Sequence, residues 1–166
     1  LTADAGRPIS DRPPQVIFGL LVVACFGAFF ITQRLKHTPT AVQRFEVSRS
    51  FTPGGTGRGG RERLSFKLAK ADEVTVTIID SAGNEIATLV RDRPVQRYKQ
   101  FYLDWNGRRG EARSYEVLHS PHGLPILLAE SPGPIAPAGE YRVEVTLRDQ
   151  HKTVRSPQSF TLVMRL

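Results

Sequence analysis

From Pro13 to Gln33 the chain runs 21 residues without a charge, and Val16 to Ile31 is apolar throughout. A bilayer core about 30 Å thick needs ~20 helical residues at ~1.5 Å each, so the run predicts one N-terminal transmembrane helix over 13–33. Val16, Ile17, Phe18, Leu20, Leu21, Val22, Val23, Phe26, Phe29, Phe30 and Ile31 together contribute roughly −3 to −7 kcal/mol to insertion. Pro13 and Pro14 suit a helix start, where the missing N–H costs nothing. Three rival readings remain. The run could be a buried core helix, or the h-region of a signal peptide with Arg7 and Arg12 as its basic start. Alternatively, Val22-Val-Ala-Cys25 could be a lipoprotein cleavage box. Apolar residues continue from Phe26 to Ile31, where a lipoprotein turns polar, and this favours the uncleaved anchor.

Residues 1–12 are polar and mixed and read as a disordered tail, and 34–42 read as a juxtamembrane linker. Beyond them the period changes to two, the period of a half-buried strand. A first strand is predicted over Arg44 to Phe51. Leu64, Phe66 and Leu68 alternate with Ser65 and Lys67, and Val74, Val76 and Ile78 alternate with Thr75 and Thr77. Asp80-Ser-Ala-Gly-Asn84 supplies a turn leading into a partner strand, Ile86 to Val90. Phe101, Leu103 and Trp105 form another alternating set. So do Tyr141, Val143, Val145 and Leu147, and finally Phe160, Leu162 and Met164. No segment after residue 42 carries a helical period. One apolar face per strand predicts two antiparallel sheets packed face to face, an all-β sandwich over 43–166. Residues 111–136 break the rhythm and read as an inserted hairpin or long loop, a common place for specificity.

The 166 residues leave room for one domain after the anchor. The single cysteine, Cys25, lies in the apolar run, which excludes disulfides, Cys-based zinc and thiol catalysis from the domain. Net charge is +7, and Arg7 and Arg12 balance Asp4 and Asp11, so the excess lies after the anchor. A basic surface of this kind suits anionic lipid or acidic wall polymer, with Arg58, Arg61 and Arg63 as candidate contacts. No nucleic-acid-reading motif accompanies the charge, and nucleic acid is not an expected partner. Arg34, Lys36 and Arg44 outnumber Arg7 and Arg12 by one, a slight lean towards a cytoplasmic domain.

Three stretches carry a family likeness. They are Phe51-Thr-Pro-Gly-Gly-Thr-Gly57, Val74-Thr-Val-Thr-Ile-Ile-Asp80 with Gly83-Asn-Glu85 and Ile86-Ala-Thr-Leu-Val90, and Leu103-Asp-Trp-Asn-Gly107 with Pro137-Ala-Gly-Glu-Tyr-Arg-Val143. Together they resemble the FlgD-like immunoglobulin-like domain over roughly residues 45–165. The resemblance implies an Ig-like sandwich and display outside the cytoplasmic membrane of a bacterium. It also implies a non-catalytic role in binding, spacing or assembly at the cell envelope. Trp105, Gly107, Gly139 and Tyr141 are its structural signature. Trp105 would plug the core, the two glycines would permit turns that a Cβ opposes, and Tyr141 would bury its ring with its hydroxyl bonded. Trp105 and Tyr141 stand 36 residues apart, wider than the family's usual spacing, because of the insertion. Relatives often place Asn and Asp in the glycine loop, in reach of calcium. Here Gly54 to Gly60 has no carboxylate, so no cofactor or metal is expected.

Other chemistry is sparse. His119 and His122 have a His-x-x-His spacing without further ligands, and Ser120 beside His119 does not make a triad. Asp72 and Glu73 read as a solvated pair at a turn. The Gly54–Gly60 loop lacks the Lys-Ser/Thr ending of a phosphate loop. The chain is therefore not expected to be an enzyme. A small enzyme or metal protein built on the insertion is the weakest alternative. Ala24 and Ala28 are spaced to let two anchors approach, which would give a weak homodimer.

Overall fold

The computed structural model describes residues 14–36, 40–55, 57–117 and 125–164. The chain divides into two units, one ending at Pro39 and the other spanning Thr40–Leu166.

The first unit holds helix α1, Pro14–Lys36, 23 residues or about 34 Å long. Val16, Phe18, Leu20, Leu21, Val23, Phe26 and Ile31 are all exposed. The sequence predicts a membrane span over 13–33. Among the described residues no helix is long and apolar enough to cross a membrane.

The second unit is all-β. Its strands are β1 (Val42–Val47), β2 (Ser50–Phe51), β3 (Glu62–Leu68), β4 (Asp72–Asp80), β5 (Glu85–Val95) and β6 (Gln100–Trp105). They continue with β7 (Gly110–Glu111), β8 (Arg113–Val117), β9 (Ile126–Glu130), β10 (Gly139–Leu147), β11 (Lys152–Arg155) and β12 (Phe160–Leu162). One sheet has the order β1-β3-β6-β9-β8. The other runs β2-β12-β10-β4-β5-β7, with β11 beside the far half of β10.

Alternation decides which face is buried. In β10, Tyr141, Val143, Val145 and Leu147 are buried while Arg142 and Thr146 are exposed. In β3, Leu64, Phe66 and Leu68 are fully buried. Each such side chain contributes ~1.5–3 kcal/mol on leaving water, more than any surface pair nearby. Both sheets feed one core. Trp105 of the first sheet lies 5.7 Å from Phe51 and 6.2 Å from both Tyr141 and Phe160 of the second. A second aromatic group, Phe45, Phe66 and Phe101, fills the first sheet, with ring centroids 5.6 and 5.3 Å apart. At the β4–β5 turn Gly83 takes φ +85°. There the Asp80 carboxylate accepts from the main chain of Ala82 and Asn84 at 2.9 and 2.8 Å.

The structure differs from the pattern in several places. The strand predicted over 44–51 is two strands, β1 and β2, in different sheets. Between them the Ser48 N–H leaves the ladder and donates to the Glu62 carboxylate at 2.7 Å. The sheets are mixed rather than antiparallel: β2 on β12, β7 on β5 and β9 on β6 all pair parallel. Strand β5 continues beyond Val90 to Val95, with irregular pairing to β4 and Asp92 at φ +46°. Met164 lies past the last strand and is 47% exposed. Within 111–136, β8 and β9 pair antiparallel and extend the first sheet beyond β6.

Asp72 is not a solvated turn residue. It opens β4, is 5% exposed, and accepts from Asp149 N at 2.8 Å, Gln150 N at 3.2 Å and Gln150 Nε2 at 2.9 Å. Burial pushes its pKa up. The bonds from Asp149 and Gln150 outweigh that and hold it below the usual carboxylate value. Glu73 beside it pairs with Arg148. Asp72→Ala is expected to cost about 1–3 kcal/mol, measured by urea unfolding at pH 7, because the donors of the β10–β11 turn lose their acceptor. The Asp72 contribution is present above the unfolded pKa of about 3.9 and disappears as pH falls through the lower folded value.

Candidate functional site

Three loops converge where the glycine-rich segment, the Trp-Asn-Gly turn and the return from β9 meet. Glycine makes the convergence possible. A Cβ on Gly60 would lie 1.9 Å from the Gly55 carbonyl oxygen, and one on Gly133 would lie 2.4 Å from that of Arg109. Gly107 takes φ +77°, and a Cβ there would meet Pro53 at 2.6 Å and Phe51 at 3.0 Å. Main-chain bonds tie the loops together. Arg109 N donates to Pro134 O at 2.9 Å, Gly133 N to Arg109 O at 3.0 Å and Ala136 N to Gly107 O at 2.9 Å.

Asn106 organises the polar side chains. Its Nδ2 donates to the Glu130 carboxylate at 2.9 Å and to Ser131 O at 3.0 Å, and its Oδ1 accepts from Arg108 N at 3.1 Å. Arg61 donates to the other oxygen of Glu130 through Nη2. Arg61 Nη1 and Ser131 Oγ are buried and have no partner among the described residues. Arg108 reaches Gly133 O at 3.2 Å through Nη1. Arg61, Asn106, Arg108 and Glu130 line a groove of about 370 Å³, together with the wall formed by Pro53, Gly54 and Gly55.

The residues singled out in the sequence separate into two groups. Trp105, Gly107 and Arg61 meet at this junction. Trp105 is fully buried, and its Nε1 donates to Arg108 O at 2.9 Å. Tyr141 packs against Trp105, and its hydroxyl donates to Pro137 O at 2.6 Å. Arg63 projects from the other face of β3. It makes a two-pronged contact with Asp104, both bonds 2.8 Å, which raises the Arg63 pKa above its usual range. Two of the three candidate anion contacts are thus already engaged by carboxylates of the domain. The side chain of Arg58 lies outside the described residues, as do His119, Ser120 and His122. Among the described residues no group of three or more His, Cys, Asp or Glu is placed to hold a metal.

Gly139 corrects the turn argument. It begins β10 opposite Leu162, it is not among the glycines with positive φ, and a Cβ on it would meet nothing within 4 Å. Gly139→Ala is therefore expected to stay within about 0.5 kcal/mol of the parent in urea unfolding. Gly107→Ala is expected to lose ~2–3 kcal/mol, from the left-handed backbone and the clash with Pro53.

One functional-looking residue, Glu62, carries no motif in the sequence. It is fully buried on the inner face of β3, opposite Trp105 in register. Its Oε1 accepts from Ser48 N, and its Oε2 has no partner. Burial pushes its pKa up to about 7; the Ser48 bonds oppose this, and the nearby Asp104 adds to it.

No known family model and no curated protein matches the sequence.

Proposed function

We propose that this chain is a single-pass membrane protein that displays an Ig-like β-sandwich outside the cytoplasmic membrane of a bacterium. Its role is non-catalytic: binding, spacing or assembly at the cell envelope. The observation that carries the reading is the exposed apolar stretch Val16 to Phe29 of α1, joined to a disulfide-free domain of two sheets around one core. Exposed apolar side chains of this kind are covered at least cost by lipid.

Strand order supports the Ig-like part. An Ig domain sets strands A, B, E and D in one sheet and C, F and G in the other. Here β1, β3 and β6 stand where A, B and E would, and β4, β10 and β12 where C, F and G would. The hydroxyl bond from Tyr141 back to Pro137 is of the tyrosine-corner kind found in such domains. The parallel β9 beside β6 departs from that plan. It enters after β6 through the β8–β9 hairpin rather than before it. The Trp-Asn-Gly and Ala-Gly-Glu-Tyr stretches supply the FlgD-like resemblance and, with it, the outward display.

Cross-linking in native membranes followed by affinity purification of the chain tests the assembly role. The reading expects one or a few envelope proteins in stoichiometric amount. A chain recovered alone, with only monomer after cross-linking, overturns it. A second reading, electrostatic binding of acidic wall polymer or anionic lipid, is favoured by the +7 charge. It expects binding to anionic vesicles or polymer that weakens steeply between low and physiological salt. Salt-independent binding, or none, excludes it.

A further inference from the structure

We infer that the groove at the three-loop junction is a binding site for a single carboxylate carried on a partner polypeptide. This rests on the reading of the domain as an assembly module. The groove holds two cations, Arg61 and Arg108, against one carboxylate, Glu130. Among the described side chains that leaves one positive charge, which one carboxylate neutralises and a phosphate dianion overshoots. Both oxygens of Glu130 are engaged, one by Arg61 and the other by Asn106. The remaining buried capacity is on the donor side. Among the described residues Arg61 Nη1 has no acceptor, and an unpaired buried guanidinium donor is costly in a folded protein. A carboxylate bound to the exposed Arg108 would meet that need through a charge-assisted bond once the Arg61 side chain turns towards it.

The glycine wall argues for a polypeptide carrier. Gly55 and Gly60 pack on each other, while Gly54, at φ +75°, has nothing within 4 Å of where a Cβ would stand and leaves its main chain open. A partner's backbone can therefore come close and exchange amide and carbonyl contacts there.

The site also has a built-in reporter. Trp105 is the only tryptophan of the chain, and its indole N–H is bonded to the carbonyl of Arg108. A ligand drawn to Arg108 should shift the indole resonance. The experiment is a titration of the full chain in non-ionic detergent with the capped tripeptide acetyl-Gly-Glu-Gly-amide. It is followed by the Trp105 indole signal, with the Gln tripeptide, inorganic phosphate and polygalacturonate as comparisons. The expected result is a saturable shift with the Glu peptide and none with the Gln peptide. Affinity should drop at least ten-fold in Arg108→Gln, whose side chain is exposed and bonds only Gly133 O among the described residues. Arg61→Gln should abolish binding; if that variant does not fold, Arg108→Gln alone decides. The proposal is overturned by no saturable shift, by an unchanged affinity in Arg108→Gln, or by phosphate binding as tightly as the Glu peptide. Tighter binding of polygalacturonate, per carboxylate, than of the Glu peptide overturns the polypeptide carrier. These outcomes are independent of membrane topology, so the site and the envelope role fail separately.

Discussion

Trp105→Ala is expected to remove about 3–5 kcal/mol of stability from the β domain, the usual cost of emptying a large aromatic site in a core. The ring is fully buried and touches Phe51, Tyr141 and Phe160, which come from three strands of the opposite sheet. Its loss therefore leaves a void between the sheets rather than at an edge, where neighbours could collapse into it. The indole N–H also holds Arg108 O, so the Trp-Asn-Gly turn loses an anchor at the same time. Against a total of about 5–15 kcal/mol for a domain of this size, the loss is a large fraction. Trp105→Phe should fall between, because it keeps most ring contacts and gives up the hydrogen bond. Urea unfolding of the chain in non-ionic detergent, followed by the β-sheet circular dichroism signal, gives both values. A Trp105→Ala cost below about 1 kcal/mol would mean that the ring does not hold the two sheets together.

The second large effect is a pH dependence centred on Glu62. Its pKa in the folded chain is pushed from 4.5 to about 7, chiefly by burial. The folded state therefore holds more protons than the unfolded state between these values, and stability falls as pH rises through that window. The full swing is about 3 kcal/mol, at ~1.36 kcal/mol per pKa unit. It is complete above the folded value and absent below the unfolded one. Asp72 and Asp80 are held below their usual pKa values, so they act at lower pH and with the opposite sign. Glu62→Gln should flatten the profile between pH 5 and 8. The variant should match the parent near pH 5 and exceed its stability by about 1–3 kcal/mol at pH 8, less any penalty for the new amide. Parent and variant with parallel profiles would show that Glu62 does not carry the dependence.

The sequence spelled out the strands wherever a strand is buried on one face only. In β3 and β10 every second residue is apolar, and the alternation alone places Leu64, Phe66, Val143 and Val145 inside. The Asp80–Asn84 turn was legible for a local reason, since its carboxylate and glycine act within five residues. What escaped was long-range or contrary to type. The switch of sheets at Ser48 depends on a carboxylate fourteen residues away. The Arg61–Glu130 contact joins positions 69 apart. Glu62 extends the inward period of Leu64, Phe66 and Leu68 by one step, so its place was readable, but a glutamate at the edge of an apolar set reads as exposed. Asp72 reads as exposed for the same reason. The parallel placement of β9 has no local signature, because pairing direction is set by how the hairpin folds back onto β6.

The candidate site was half visible. Trp105, Gly107 and Arg61 stood out by type and motif. Asn106 lay inside the Trp-Asn-Gly stretch but passed as a turn residue, although it bonds to Glu130, Ser131 and Arg108 at once. Glu130 and Ser131 sit at the end of the insertion and carry no signal without the fold. Gly139 illustrates the reverse error. Glycine next to a strand suggested a required turn, yet its backbone is ordinary and the space around it is open.

The central claim is a β domain tethered by α1 and displayed outside the cytoplasmic membrane, and protease accessibility in intact spheroplasts tests it most directly. The account predicts that added protease digests the domain from Thr40 onward while the cells remain sealed, leaving a membrane-retained fragment that contains α1. A domain fully protected until the membrane is lysed would contradict it.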